Sequence, residues 1–128
     1  MRPVATRGLI MDYGGVLTDG VEMLDLPRRA RAAGRPTALV SDADTVPESV
    51  AALFDVLVLG ETVGARKPDP EVYRRTAALL GLEPQDCVVV DDLARNVQGA
   101  LAAGAIAVLH DDPDTTVAEV EILLALPG

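Results

Sequence analysis

The sequence predicts an α/β protein, a three-layer sandwich around a five-stranded parallel sheet. Three observations predict it: five short aliphatic runs without apolar and polar alternation, helix punctuation between them, and polar residues placed just after the runs. Continuous apolar runs suit strands covered on both faces, whereas half-exposed strands alternate.

The first run, Gly8 to Met11, ends at Asp12 and the pair Gly14-Gly15. It delivers a carboxylate from a strand end into a turn, where open α/β sheets bind ligands. A helix is expected around Arg28 to Ala33, and Arg28, Arg29, Arg31 and Arg35 read as its solvated basic face, with phosphate steering the sharper alternative. The second run, Thr37 to Val40, leads into Ser41-Asp42, with a further helix after Pro47. The third, Val56 to Leu59, precedes Lys67-Pro68. Asp69 then serves as N-cap, Pro70 as first helical residue, Val72, Thr76, Leu79 and Leu80 as one apolar face, and Gly81 as terminator. The fourth run, Cys87 to Val90, ends at Asp91-Asp92, and Ala94 to Ala103 before Gly104 reads as helix. Ala105 to Leu109 is the fifth strand, with the lone His110 expected in a surface or loop role. The last helix is read over Thr116 to Leu126, after Asp114.

At 128 residues the chain is expected to form one domain, residues 1–128, with a core that needs no covalent staples. Aliphatic residues must build that core, because the chain has no Trp, one Phe and two Tyr. The same scarcity offers no aromatic platform for stacking bases. A net charge of −9 disfavours long-range attraction to nucleic acid or to an anionic membrane surface. The longest apolar run, Gly99 to Leu109, falls short of the roughly 18 residues of a spanning helix, and the amino terminus carries no signal-peptide stretch. Cys87, the one cysteine, allows neither a disulfide nor a Cys/His zinc site and reads as an apolar filler, so a cytoplasmic location is expected.

In a parallel sheet, Asp12, Ser41-Asp42, Lys67-Pro68 and Asp91-Asp92 converge on one edge. Capping explains a single Asp after a strand but not this set. Asp12, Asp91 and Asp92 would repel one another unless a hard divalent cation sat among them, and carboxylates with a backbone carbonyl are the donors Mg²⁺ accepts. Such a cation binds a phosphoryl group. Lys67 and the Ser41 hydroxyl would hold its oxygens, and Asp12 could attack phosphorus without needing a base.

The stretches Asp12-x-Gly-Gly-Val-Leu-Thr, Val40-Ser41, Arg66-Lys67-Pro68-Asp69-Pro70, and Val88-Val89-Val90-Asp91-Asp92 continuing through Asn96, Val97, Gly99 and Gly104 resemble, in order, the haloacid dehalogenase (HAD) superfamily of hydrolases. The resemblance implies a Rossmann-like fold and Mg²⁺-dependent phosphohydrolase activity through an aspartyl-phosphate at Asp12. It implies that the Gly14 carbonyl joins Asp12 as a metal ligand, that Asp92 ligates the metal directly, and that Asp91 stands beside it. By the same resemblance Ser41, Asp42 and Lys67 lie at the phosphate, and Asn96 stands near the metal or serves structure alone.

Three departures qualify that expectation. Phosphatases of the family usually carry Asp where Gly14 stands, and losing a general acid/base costs about 10² to 10⁴ in rate. Asn often follows the hydroxyl residue where this chain has Asp42, whose carboxylate would repel phosphate unless it points away to cap the next helix. Only 28 residues separate Asp12 from Ser41, which leaves no room for the usual cap domain. The site is then open, favouring a large phosphorylated substrate or closure by a second subunit, although a small phosphorylated substrate fits the same chemistry.

Other readings stay open. The dehalogenating branch also lacks the second acid, but it does not keep a paired acidic metal site. A phosphoacceptor receiver domain would place its acidic pair after the first strand, not the fourth. A catalytically weak module that binds a phosphorylated ligand or a protein partner accommodates Gly14, Asp42 and the missing cap.

Overall fold

The computed structural model describes residues 7–127. Five strands, β1 (Gly8–Met11), β2 (Thr37–Ser41), β3 (Val56–Leu59), β4 (Cys87–Asp91) and β5 (Ile106–Leu109), form one all-parallel sheet in the order β3-β2-β1-β4-β5. The helices are α1 (Val21–Ala32), α2 (Glu48–Ala51), α3 (Pro70–Leu79), α4 (Ala94–Ala102) and α5 (Pro113–Leu124). The strand-helix alternation read from the sequence is therefore present.

Side chains alternate across each strand, so each central strand feeds two cores. Leu9, Met11, Leu39, Val88 and Val90 pack with Met23 and Leu26 of α1 and Val120 and Leu124 of α5. Ile10, Ala38, Val40, Val58 and Val89 face the other way, onto Val72, Tyr73 and Ala77 of α3 and Ala100 of α4. This two-sided demand explains why β1, β2 and β4 are apolar without alternation. Cover thins at the edges, where Leu57 of β3 and Leu109 of β5 are exposed.

The strand order positions the site. β1 and β4 are neighbours at the sheet centre with Met11 opposite Val90, so the chain leaves both strands with Asp12 beside Asp91. The Asp12 amide extends the pairing by donating to the Val90 carbonyl at 3.1 Å. Between β1 and β2 the chain forms one turn and α1, and between β3 and β4 one loop, α3 and a short helical turn at Pro84–Asp86. Among the described residues there is no cap domain, and no helix is long and apolar enough to cross a membrane.

Two expectations need correction, and a third reading is narrowed. Leu79 is exposed, because α3 turns Val72, Tyr73, Thr76 and Ala77 inward and leaves Leu79 at the margin of that stripe. α5 begins at Pro113, where the Asp112 carboxylate accepts from the Thr115 amide at 2.9 Å; Asp112-Pro113 repeats the Asp69-Pro70 start of α3. The arginines lie away from the carboxyl edge: Arg29 pairs with Glu121 at 2.7 Å and Arg31 with Asp55 at 3.2 Å, near the start of β2. Arg31 and Arg35 line a separate groove there with Pro36 and Asp55, so the solvated-face reading of the cluster fits and phosphate steering does not.

Candidate active site

Asp12 leaves β1 in extended conformation and its Oδ1 accepts from the Tyr13 amide at 2.8 Å, which fixes the carboxylate at the turn. The turn reverses at Gly15, whose φ of 77° lies in the left-handed region, and the Thr18 hydroxyl accepts from the Gly15 amide at 2.9 Å. Gly15 has a second reason to be glycine: a Cβ there would stand 2.2 Å from Asp92 Oδ2. Gly14 has neither constraint, with φ −66°, ψ 132° and open space where a side chain would project.

Lys67 reaches the same point from the loop before α3. Its Nζ donates to Asp12 Oδ1 at 2.8 Å and to Asp91 Oδ2 at 3.0 Å, and its side chain is 4% exposed. Burial alone would lower the Lys67 ammonium, but Asp12 and Asp91 hold it above its ordinary value. Burial pushes the Asp12 carboxyl up to about 6, against the pull of Lys67 and with a further push from Asp91. One lysine thus faces more negative charge than it neutralises.

Asp91 is fully committed by hydrogen bonds. Its Oδ1 accepts from the Leu93 amide at 2.9 Å, and the Asn96 carboxamide donates to both oxygens at 3.3 and 3.2 Å. Asn96 is held in turn by α4 and by the Tyr73 hydroxyl, which donates to its carbonyl at 3.2 Å. Asp92 is half-buried at the crevice, and the carboxylates of Asp12, Asp91 and Asp92 each place one oxygen within 4.8 Å of the others. Hard oxygen donors at this spacing fit a divalent cation. Asp12 Oδ2 and the Asp92 carboxylate, which take no hydrogen bond from the described residues, are the free donors.

These groups border a crevice of about 260 Å³ lined by Asp12, Gly14, Ser41, Asp42, Lys67 and Asn96 among others. Ser41 ends β2 with its hydroxyl accepting from the Ala43 amide at 3.2 Å. Asp42 is exposed at the rim, and its backbone carbonyl accepts from Arg66 at 3.2 Å. It does not cap the next helix: α2 starts at Glu48, after Pro47, without a side-chain cap.

Other features were not legible beforehand. The Pro68 carbonyl lies where a Cβ on Gly99 would meet it at 2.1 Å, so only glycine lets α4 back the Lys67-Pro68 loop this closely. The sequence motif contains Gly15 and Gly99 but gives neither a task. His110 lies in the loop after β5, as one of its two expected roles had it, but it is not at the surface: it is 4% exposed and pairs with Asp19 and Thr116. Cys87 is a buried filler as expected, its thiol pushed up to about 12 by burial and by Asp86.

A parallel α/β sheet whose carboxyl edge gathers three aspartates and a buried lysine defines a Rossmann-like domain with an acidic crevice. The model of the haloacid dehalogenase-like hydrolases matches residues 21–104, and the chain belongs to that family. An uncharacterized protein from Corynebacterium glutamicum has the same fold, with a TM-score of 0.85 and 30% identity over 97% of this chain and 98% of that one. CbbY from Rhodobacter sphaeroides, solved in complex with phosphate, superposes with a TM-score of 0.60 and 25% identity over 69% of this chain and 44% of its own. Hexitol phosphatase A of Escherichia coli is 42% identical over 72 residues, 55% of this chain and 33% of that protein. The chain spans less than half the length of these two relatives.

Proposed function

We propose that the protein is a magnesium-dependent phosphohydrolase that works through an aspartyl-phosphate at Asp12. The observation that carries this reading is Lys67 bridging Asp12 and Asp91 within a triad of carboxylates, an arrangement with an unused oxygen on Asp12 facing an open crevice. The phosphate bound by CbbY and the phosphatase activity in the name of Hexitol phosphatase A support the substrate class.

Asp12 and Asp92, with the Gly14 carbonyl, would hold the cation, while Asp91 orients Lys67 and is itself oriented by Asn96. What the cation supplies when bound is neutralisation of the carboxylates and polarisation of the phosphoryl oxygens. Lys67 and the Ser41 hydroxyl then bind the remaining phosphoryl oxygens. The Asp12 carboxylate attacks phosphorus, the bond to the leaving oxygen breaks, and that oxygen takes its proton from solvent because residue 14 offers no acid. Water then cleaves the acyl-phosphate and returns Asp12 and inorganic phosphate. Asp42 stands exposed in the lining of the same crevice, where the outer part of a substrate would lie. The capless crevice suits a phosphorylated macromolecule as well as a small phosphate ester, and a second subunit could cover it.

Hydrolysis of an activated aryl phosphate should require magnesium and vanish in Asp12→Asn. Gly14→Asp should fold normally, because its backbone and surroundings accept a side chain. It should raise turnover of poor leaving groups by up to about 10² to 10⁴. The absence of an acid at Gly14 favours a second reading, a weak module that binds a phosphorylated ligand or a protein partner. Failure of the wild-type chain to form a fluoroberyllate adduct, together with no turnover in Gly14→Asp, would establish that reading instead.

A further inference from the structure

We propose that His110 is a positioning residue that, through Asp19, fixes the turn carrying Gly14 and Gly15 against the strand end carrying Asp91 and Asp92. The proposal rests on the phosphohydrolase reading, since the position of that turn matters to metal binding only if Gly14 and Asp92 are used. His110 Nε2 lies 2.7 Å from Asp19 Oδ2, and Nδ1 lies 2.7 Å from Thr116 Oγ1. Its backbone amide donates to the Asp91 carbonyl at 2.8 Å. One buried residue therefore touches the turn after β1, the end of β4 and the start of α5.

The chemistry of the contacts gives them direction. A carboxylate only accepts, so Nε2 donates to Asp19, while the Thr116 hydroxyl can serve Nδ1 as donor or acceptor. Asp19 is a half-exposed turn residue whose amide donates to the Val16 carbonyl at 3.2 Å, while the next residue, Gly20, accepts from the Met23 amide of α1 at 3.2 Å. Gly14, Gly15, Thr18, Asp19 and Gly20 are all exposed, and Gly15 and Gly20 have φ of 77° and 125°. A glycine-rich turn carries a large entropy to lose on ordering. Val16 and Leu17 pin it from beneath at the core and Gly20 joins its far end to α1, whereas Asp19 on His110 is the side-chain tie from the turn to the end of β4. Gly15, which abuts Asp92, lies between these pins and Asp12.

Hydrogen exchange of residues 14–20 in the metal-free protein, with magnesium affinity by calorimetry, tests the tether in Asp19→Ala, Asp19→Asn, His110→Ala and the double alanine variant. Asp19→Ala and His110→Ala should each speed exchange of the turn and weaken magnesium binding by roughly tenfold. The double variant should be no worse than the worse single one, as for two ends of one contact. Asp19→Asn should stay within about twofold of wild type, because its carboxamide oxygen still accepts from Nε2. Unchanged exchange in Asp19→Ala, or effects that multiply in the double variant, would overturn the proposal. Should His110→Ala fail to fold, the half-exposed Asp19 variants carry the same measurement. A wild-type chain that takes no magnesium, while Asp19→Ala still frees the turn, would sink the metal reading and leave the tether supported.

Discussion

Gly14 and Gly15 are adjacent and answer to different constraints. Gly15 is glycine for two physical reasons, a positive φ and the Asp92 carboxylate against its α-carbon. Gly14 is glycine for no steric reason, so on the phosphohydrolase reading any effect of it is chemical. Gly15→Ala should cost about 1 to 2 kcal/mol in urea denaturation, whereas Gly14→Ala should stay within about 0.5 kcal/mol of wild type. Equal losses at the two positions would contradict this account of the turn. The sequence shows both glycines and distinguishes neither, because the distinction depends on Asp92, which arrives from a strand far along the chain.

At the scale of elements, two kinds of signal differ in reach. Local grammar is legible: Asp69 before Pro70 starts α3 as read, and the same pair at Asp112 and Pro113 starts α5 earlier than read, among several competing aspartates. Contacts between elements are not legible in the same way. His110 becomes a buried residue only because Asp19 and Thr116 are folded onto it, and Leu79 is exposed only because of how α3 rolls on the sheet. The approach of α4 to the loop before α3 is the firmest of these contacts to test. Gly99→Ala places a methyl group on the Pro68 carbonyl and should cost about 1 to 3 kcal/mol by chemical denaturation. It should also move Lys67, so phosphoryl turnover should fall further than the stability loss explains.

For the whole molecule, the parallel sheet brings Asp12, Ser41, Lys67 and Asp91 to one edge from segments spread over most of the chain. That convergence is legible because the polar residues follow the strand ends one after another. The electrostatic consequence is not legible, since it depends on burial. The Asp12 carboxyl, pushed up to about 6, is protonated more readily in the fold than in the unfolded chain. In metal-free protein the native state therefore binds the extra proton between the ordinary carboxylate range and about 6. Stability from this group is full below that window and is lost as pH rises through about 6. Asp12→Asn removes the penalty, so it should be more stable than wild type at pH 7 to 8 in the presence of a chelator, with the gap closing on acidification. Thermal denaturation across this range checks it, and a gap that widens in acid would reverse the sign.

The empty space over Gly14 also has a genetic meaning. Glycine and aspartate codons can differ by a single base, and the backbone at position 14 already suits either residue. Where the codon for residue 14 is one of these, a single base change gives the acid, with no compensating change demanded by the turn. On the phosphohydrolase reading, that substitution would add an acid at the crevice without disturbing the turn that Gly15 and Asp92 define.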